Sequence, residues 1–254
     1  MQNVVEIRNI RLGEGIPKIC VPLVAKTKEE FLKSAEALHE VKLDLVEVRI
    51  DHFNDVENIE AVKELVKELR EVLKETPILF TFRSLKEGGE KEVSTEYYKT
   101  LNIETARTGL VDLVDVELFT GDEIVKEIVD EVHKAGVKIV MSNHDFNKTP
   151  EREEIVRRLC KMQELNADLP KIAVMPKSAG DVLKLLQATN DMVTKYAETP
   201  IITMSMGGLG VISRIAGETF GSALTFGAAG KASAPGQVDV DSLVSMLNVL
   251  HNAK

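Results

Sequence analysis

The sequence predicts an α/β protein of the (β/α)8 barrel class, and three observations carry that prediction. Eight short β-rich runs alternate with longer helical stretches from residue 16 to the end of 254 residues, about the length of one such barrel. Most of the runs are continuous in Val, Ile and Leu rather than strictly alternating, as expected of parallel strands covered by helices. The competing architecture, an open doubly wound sheet, lacks its glycine-rich dinucleotide fingerprint after the first run.

The predicted strands are Pro17–Val24, Leu45–Asp51, Ile78–Arg83, Leu113–Leu118, Val137–Ser142, Lys171–Met175, Ile201–Met206 and Leu224–Gly227. Amphipathic stretches between them include Lys28–Glu40, Val56–Lys74, Asp122–Ala135 and Glu151–Asn166. Thr27-Lys-Glu-Glu30, Thr120-Gly-Asp-Glu123 and Ser178-Ala-Gly-Asp181 fit capping boxes, the last with Asp in place of Glu. Thr149-Pro150 sets a cap residue before a proline at the first helical position. The segment Val4–Leu12 reads as a hairpin closing the barrel's bottom. With no linker, low-complexity tract or composition shift, residues 1–254 read as one catalytic domain.

Composition narrows the function classes. A formal charge of -9 argues against nucleic acid and anionic membranes, which need a basic footprint. An anionic small molecule remains compatible if arginines converge on one pocket. No apolar stretch approaches the ~20 residues of a membrane span, and no secretory leader is visible at Met1. The two cysteines, Cys20 and Cys160, lie far apart in core-like contexts, which predicts a reducing, cytoplasmic home.

Lys171 is the most informative residue. It stands in Leu169-Pro-Lys-Ile-Ala-Val-Met-Pro176, an apolar run that reads as a buried strand. Lysines are rarely buried without a partner or a task. Desolvation favours the neutral amine, the form that attacks a carbonyl to give a Schiff base. The alternative is a lysine at the strand's solvent end, its stem on apolar surface and its head in water.

Barrel chemistry gathers at the C-terminal ends of the strands. The second run places Glu47, Arg49 and Asp51 on one face, either inward, where they must be paired or used, or outward with the valines inside. The third ends Phe80-Thr-Phe-Arg83-Ser84, and its arginine points toward an anionic pocket. The fifth leads into Ser142-Asn-His144-Asp-Phe146, which sets a histidine where proton transfer needs one; His52, just past the second run, competes with it. His39, His133 and His251 fall in helices. The small-residue run Phe226–Gly236 suits a mobile lid, or, like Gly207-Gly-Leu-Gly210, a phosphate site. No spacing suits a metal.

Taken together, these segments resemble the type I 3-dehydroquinate dehydratases, the Schiff-base dehydroquinases of the shikimate pathway. The likeness runs from Gly13-Glu-Gly-Ile-Pro-Lys18 to the C-terminus. Its carriers are Phe80-Thr-Phe-Arg-Ser84, Glu87-Gly-Gly89, Gly109-Leu-Val-Asp112, Glu117-Leu-Phe119, Ser142-Asn-His-Asp-Phe146 and Pro170-Lys-Ile-Ala-Val-Met-Pro176. Ile201-Ile-Thr-Met-Ser-Met206, Val211-Ile-Ser-Arg214 and Ser233-Ala-Pro-Gly-Gln237 follow in order.

The resemblance implies a lyase that turns 3-dehydroquinate into 3-dehydroshikimate without cofactor or metal, working as a homodimer. It implies Lys171 as the imine-forming residue, His144 as general acid/base and Glu87 as the acid that orients it. Glu47, Arg49, Arg83, Arg214, Ser233 and Gln237 match substrate-binding positions, with Arg214 at the carboxylate. Pro22 departs from the pattern: where members carry a serine, it brings no hydroxyl. The segment Ser233–Gln237 is expected to close over bound ligand. Two rival readings are a sugar-phosphate aldolase or transaldolase, which needs phosphate at Gly207–Gly210 or Gly227–Gly230, and a barrel kept only for binding. Arg49, Arg83 and Arg214 favour a carboxylate substrate over the first; intact Lys171 and His144 argue against the second.

Overall fold

The computed structural model describes residues 4–230 and 234–253. Eight parallel strands follow the chain: β3 (Lys18–Leu23), β4 (Leu45–Arg49), β5 (Ile78–Thr81), β6 (Leu113–Glu117), β7 (Lys138–Asp145), β8 (Leu169–Val174), β9 (Ile202–Ser205) and β10 (Leu224–Ala228). They pair in chain order from β3 to β9, and β10 returns beside β3. Between β9 and β10 the barrel closes on few bonds. Ala223 N donates to Ile201 O at 2.8 Å, and Thr203 N donates to Ser222 Oγ at 3.0 Å. The preceding hairpin, β1 (Val5–Ile7) with β2 (Ile10–Leu12), packs its apolar residues into the barrel's lower end. A two-residue strand, β11 (Val238–Asp239), lies beside β10. The fold is the predicted (β/α)8 barrel.

The outer layer is α1 (Lys28–Ala37), α2 (Ile59–Leu73), α3 (Thr95–Arg107), α4 (Asp122–Lys134), α5 (Arg152–Glu164), α6 (Ala179–Asp191), the short α7 (Val211–Ile215) and α8 (Gly217–Phe220), and α9 (Val240–Asn252). Thr27 forms the full capping box with Glu30, and Ser178 Oγ accepts from Asp181 N. Two predicted caps are displaced. Thr120 belongs to a 3-10 turn and lacks the extended backbone of a cap, so α4 starts from Gly121. Thr149 gives its hydroxyl to Met175 O at 3.1 Å, and α5 starts from Glu151. The second helix begins at Ile59 rather than Val56, because Asn58 accepts from Ala61 N at 3.3 Å. No helix among the described residues is long and apolar enough to cross a membrane.

Strand periodicity positions the site. Val46, Val48, Val114 and Val116 point out to the helices, while Leu45, Leu113, Leu169 and Leu224 point in toward the hairpin. These four leucines come from alternate strands, as barrel layers do. Three of them follow an aspartate that brackets the neighbouring strand: Asp44 accepts from Ile19 N, Asp112 from Ile78 N and Asp168 from Ile139 N, at 2.7–2.8 Å. Cys20, Leu79, Val140 and Ile202 join the same inner cluster from the other four strands. Two residues further along the first set stand Glu47, Asp115, Lys171 and Phe226. Apolar below and charged above, the barrel changes character in one step.

Candidate active site

Lys171 sits in that first charged layer and is 3% exposed. Its Nζ lies 3.4 Å from Asp115 Oδ2, 3.8 Å from Glu47 Oε1 and 4.6 Å from the centre of the Phe226 ring. The lysine is therefore buried and paired, with an aromatic face completing its surroundings. Glu47 is held in turn by Thr81 Oγ1 at 3.0 Å.

Asp115 and Ser142 extend the arrangement beyond the residues singled out in the sequence. Ser142 Oγ donates to Asp115 Oδ1 at 2.6 Å, and Arg83 Nη2 reaches Asp115 Oδ2 at 2.8 Å. Arg83 Nη1 also reaches Glu117 Oε1 at 2.9 Å and Ser142 Oγ at 2.8 Å. Two cations, Arg83 and Lys171, hold the Asp115 carboxyl below its usual range against burial, which pushes the other way. The signal for Asp115 and Glu117 was present in Leu113-Val-Asp-Val-Glu117, which alternates as Leu45-Val-Glu-Val-Arg49 does.

Glu87 ends a 3-10 turn after β5, followed by Gly88 at φ +86°. The positive φ favours glycine there, and a Cβ on Gly88 would also lie 2.4 Å from the edge of the Phe146 ring, which would have to move. The Phe146 ring stacks in turn on the His144 imidazole at 6.4 Å and 19°. Glu87 Oε2 faces His144 Nδ1 at 2.9 Å and accepts the His144 backbone N–H at 2.9 Å. Burial first, then the Glu117 carboxylate, pushes the Glu87 carboxyl up to about 8. Burial and the cations Arg83, Lys171 and Arg49 push the imidazole well below its usual value. At neutral pH the ring is thus uncharged, and its Nε2 lone pair is available in the tautomer whose proton sits on Nδ1, facing a Glu87 carboxylate.

The three predicted arginines differ in what engages them. Arg49 forks onto Asp51, Nε to Oδ1 and Nη2 to Oδ2, both at 2.9 Å. Arg83 is held by Asp115, Glu117 and Ser142 and still lines the pocket. Arg214 is 2% exposed and has no carboxylate within ion-pair distance among the described residues. Its Nη2 donates to Pro235 O at 3.1 Å, its Nε has no partner, and burial lowers its pKa to about 10.

Glu47, Arg49, Arg83, Glu87, His144, Lys171, Arg214 and Gln237 line one pocket. Met204, Met206, Phe226 and Ala173 supply its apolar wall. Ser233 lies outside the described residues, so neither it nor the first part of the expected lid is placed. The described part is tied down at Pro235, whose carbonyl accepts from Gly207 N at 3.1 Å as well as from Arg214. In the glycine run before it, Gly210 packs so close that a Cβ would meet Ser205 O at 2.1 Å.

His52 stands elsewhere, 3.6 Å from Asp51 and beside Glu90, lining the neighbouring cleft that also holds Pro22. Cys20 and Cys160 are free thiols. No group of three or more potential metal ligands gathers among the described residues.

Known proteins match this chain along its length. The family model described as type I 3-dehydroquinase matches residues 19–254. The 3-dehydroquinate dehydratase of Clostridioides difficile (strain 630) is 59% identical over 253 residues, covering 100% of this chain and 99% of that protein. The enzyme of that name from Listeria monocytogenes serotype 4a (strain HCC23) is 60% identical over 249 residues, 98% of each chain. A crystal structure of the type I 3-dehydroquinate dehydratase from Clostridium difficile, with covalently modified comenic acid, superposes with a TM-score of 0.98 over 100% of both chains. With a barrel of the same course and a buried lysine, a carboxyl–imidazole pair and arginines in one pocket, this chain belongs to the type I 3-dehydroquinase family.

Proposed function

We propose that this protein dehydrates 3-dehydroquinate to 3-dehydroshikimate, in the shikimate pathway, through a covalent imine on Lys171. The observation that carries the assignment is convergence: one buried amine, one carboxyl–imidazole pair and one guanidinium without a carboxylate partner line a single pocket. The covalently modified ligand in the Clostridium difficile enzyme supports covalent chemistry in this family.

The steps follow from the groups. The Lys171 ammonium passes a proton to His144 and adds as the amine to the C3 ketone; the carbinolamine takes that proton back from His144 and loses water, leaving a protonated imine. That cation withdraws electrons from the C2–H bond, as a cofactor electron sink would. His144 Nε2 takes the C2 proton, leaving an enamine. The enamine expels the C1 hydroxyl, which leaves as water on receiving the same proton from His144. The remaining imine of 3-dehydroshikimate is hydrolysed, returning the amine, so that one water is lost overall. Glu87 holds the imidazole by Nδ1 throughout, while Glu47, Arg49, Arg83, Ser233 and Gln237 bind the substrate's oxygens. Borohydride added during turnover reduces the imine to a stable amine. Peptide mass analysis should then place the adduct on the peptide containing Lys171, and an adduct on any other peptide overturns the assignment.

Arg214 is assigned to the substrate carboxylate, and the assignment has a stability signature. Its folded pKa is depressed by burial, so at neutral pH the charged side chain opposes folding until an anion arrives. Arg214→Met should therefore raise the unfolding free energy of the unliganded protein by about 1–3 kcal/mol, at ~1.4 kcal/mol per pKa unit. The same change should weaken substrate binding by roughly 2–5 kcal/mol. Paired denaturation and binding measurements check both signs, and a loss of apo stability would remove Arg214 from this role.

The reading includes a homodimer in the cytoplasm. It draws on the family resemblance and on the two free thiols, which suit a reducing compartment. Sedimentation should give one species near twice 28.1 kDa.

A further inference from the structure

We propose that Asn143, with its amide oriented by Arg158, is a positioning residue that keeps Glu87 an acceptor for the Nδ1–H of His144. The inference rests on the reading of His144 as the acid/base group and adds two residues behind it.

An asparagine amide offers an oxygen that only accepts and a nitrogen that only donates, and its shape does not say which end is which. Here the neighbours decide. Arg158 Nη1 lies 2.8 Å from Asn143 Oδ1, and a guanidinium has donors alone, so the oxygen must face it. The nitrogen is thereby turned to Glu87, and Nδ2 donates to Oε1 at 3.1 Å. Asn143 is 3% exposed, leaving water little room to substitute. Arg158 is itself fixed, by Glu154 Oε1 at 2.7 Å and by the Phe119 ring 5.4 Å below its guanidinium. A chain of defined polarity thus runs from the surface of α5 through Asn143 and Glu87 to the imidazole.

The polarity matters because Glu87 lies among charges of both signs. Arg83 stands 3.6 Å away at the end of β5, Glu117 and Asp115 face it from β6, and His144 faces it from β7. Lys171 on β8 and Arg49 on β4 act on the imidazole side. Burial and the acidic neighbours favour the protonated carboxyl, which would donate to Nδ1 and place the ring's own proton on Nε2, blocking the base. The donors from Asn143 and the His144 backbone oppose that by satisfying a carboxylate on both oxygens, so that the acceptor form is reached near pH 8 rather than higher still.

The test compares Asn143→Ala, Arg158→Met and Arg158→Lys with the parent by two readouts. The first is the 15N NMR titration and tautomer of His144 in the unliganded protein, which does not depend on what reaction occurs. The second is the acid limb of the pH profile of kcat/KM. In Asn143→Ala the limb should move up by about one pH unit, with Nε2–H gaining population over the same range. Arg158→Met should shift both in the same direction by less, because the freed amide can turn over. Arg158→Lys should restore both, since an ammonium also only donates. Arg158 is part-buried on α5, outside the barrel strands, so its variants carry the test even if Asn143→Ala fails to fold. Uniform loss of activity at every pH, or no rescue by lysine, overturns the proposal. A shifted tautomer without a shifted kinetic limb upholds the positioning and instead removes His144 from the chemistry.

Discussion

Lys171→Met abolishes borohydride trapping and lowers turnover by about 10^4-fold or more, the scale of losing a group that forms the covalent intermediate. No other lysine lines the pocket among the described residues. The loss is separable from unfolding because neither carboxylate partner is stranded: Asp115 keeps Arg83 at 2.8 Å and Ser142 at 2.6 Å, and Glu47 keeps Thr81 at 3.0 Å. Methionine also preserves the apolar stem against Phe226. Lys177 is exposed three residues beyond the strand, and Lys177→Ala should still trap ligand. Mass analysis of the two variants after reduction decides the matter. Trapping that survives in Lys171→Met and vanishes in Lys177→Ala would place the chemistry on the wrong lysine.

The barrel was legible because burial on both faces of a parallel strand leaves so plain a mark. Each of the eight predicted runs coincides with a strand to within a few residues. The largest difference is at β7, which continues to Asp145 because it pairs with β8 as far as Val174. The site was less legible from the residues alone, for a reason the two histidines make concrete. His52 and His144 both follow a predicted run, yet only His144 has the parity of the inward residues, two beyond Ser142. His52 falls three beyond Arg49, after a 3-10 turn has broken the alternation. That turn also sets Asp51 where its carboxylate can chelate Arg49 rather than continue the strand face. The arginines were harder still. Whether Arg83 or Arg214 is left for a ligand depends on Asp115 and Glu117, which approach Arg83 from the neighbouring strand more than thirty positions away in sequence. A single chain read in order shows charges; it does not show which are already matched.

His144→Ala should separate the two halves of the proposed reaction. Imine formation needs the Lys171 amine and a carbonyl, so borohydride should still trap some adduct when product is supplied. Proton removal at C2 and delivery to the departing hydroxyl need the imidazole, and turnover should fall ~10^2–10^4-fold, the usual worth of general acid/base groups. The upper end is expected, because the same ring serves both transfers and no second histidine lines the described pocket. The direction of its pKa matters here. Burial and three cations keep the ring uncharged at working pH. The variant leaves Glu87 with its donors from Asn143 and the backbone of residue 144, so the carboxyl is not stranded. Residual activity should therefore lose the parent's pH dependence instead of merely shifting it. His52 cannot inherit the role from the adjoining cleft, where it stands beside Asp51 and Glu90. Turnover within a few-fold of the parent, measured alongside intact trapping, would mean that the proton travels by a route that does not pass through this ring.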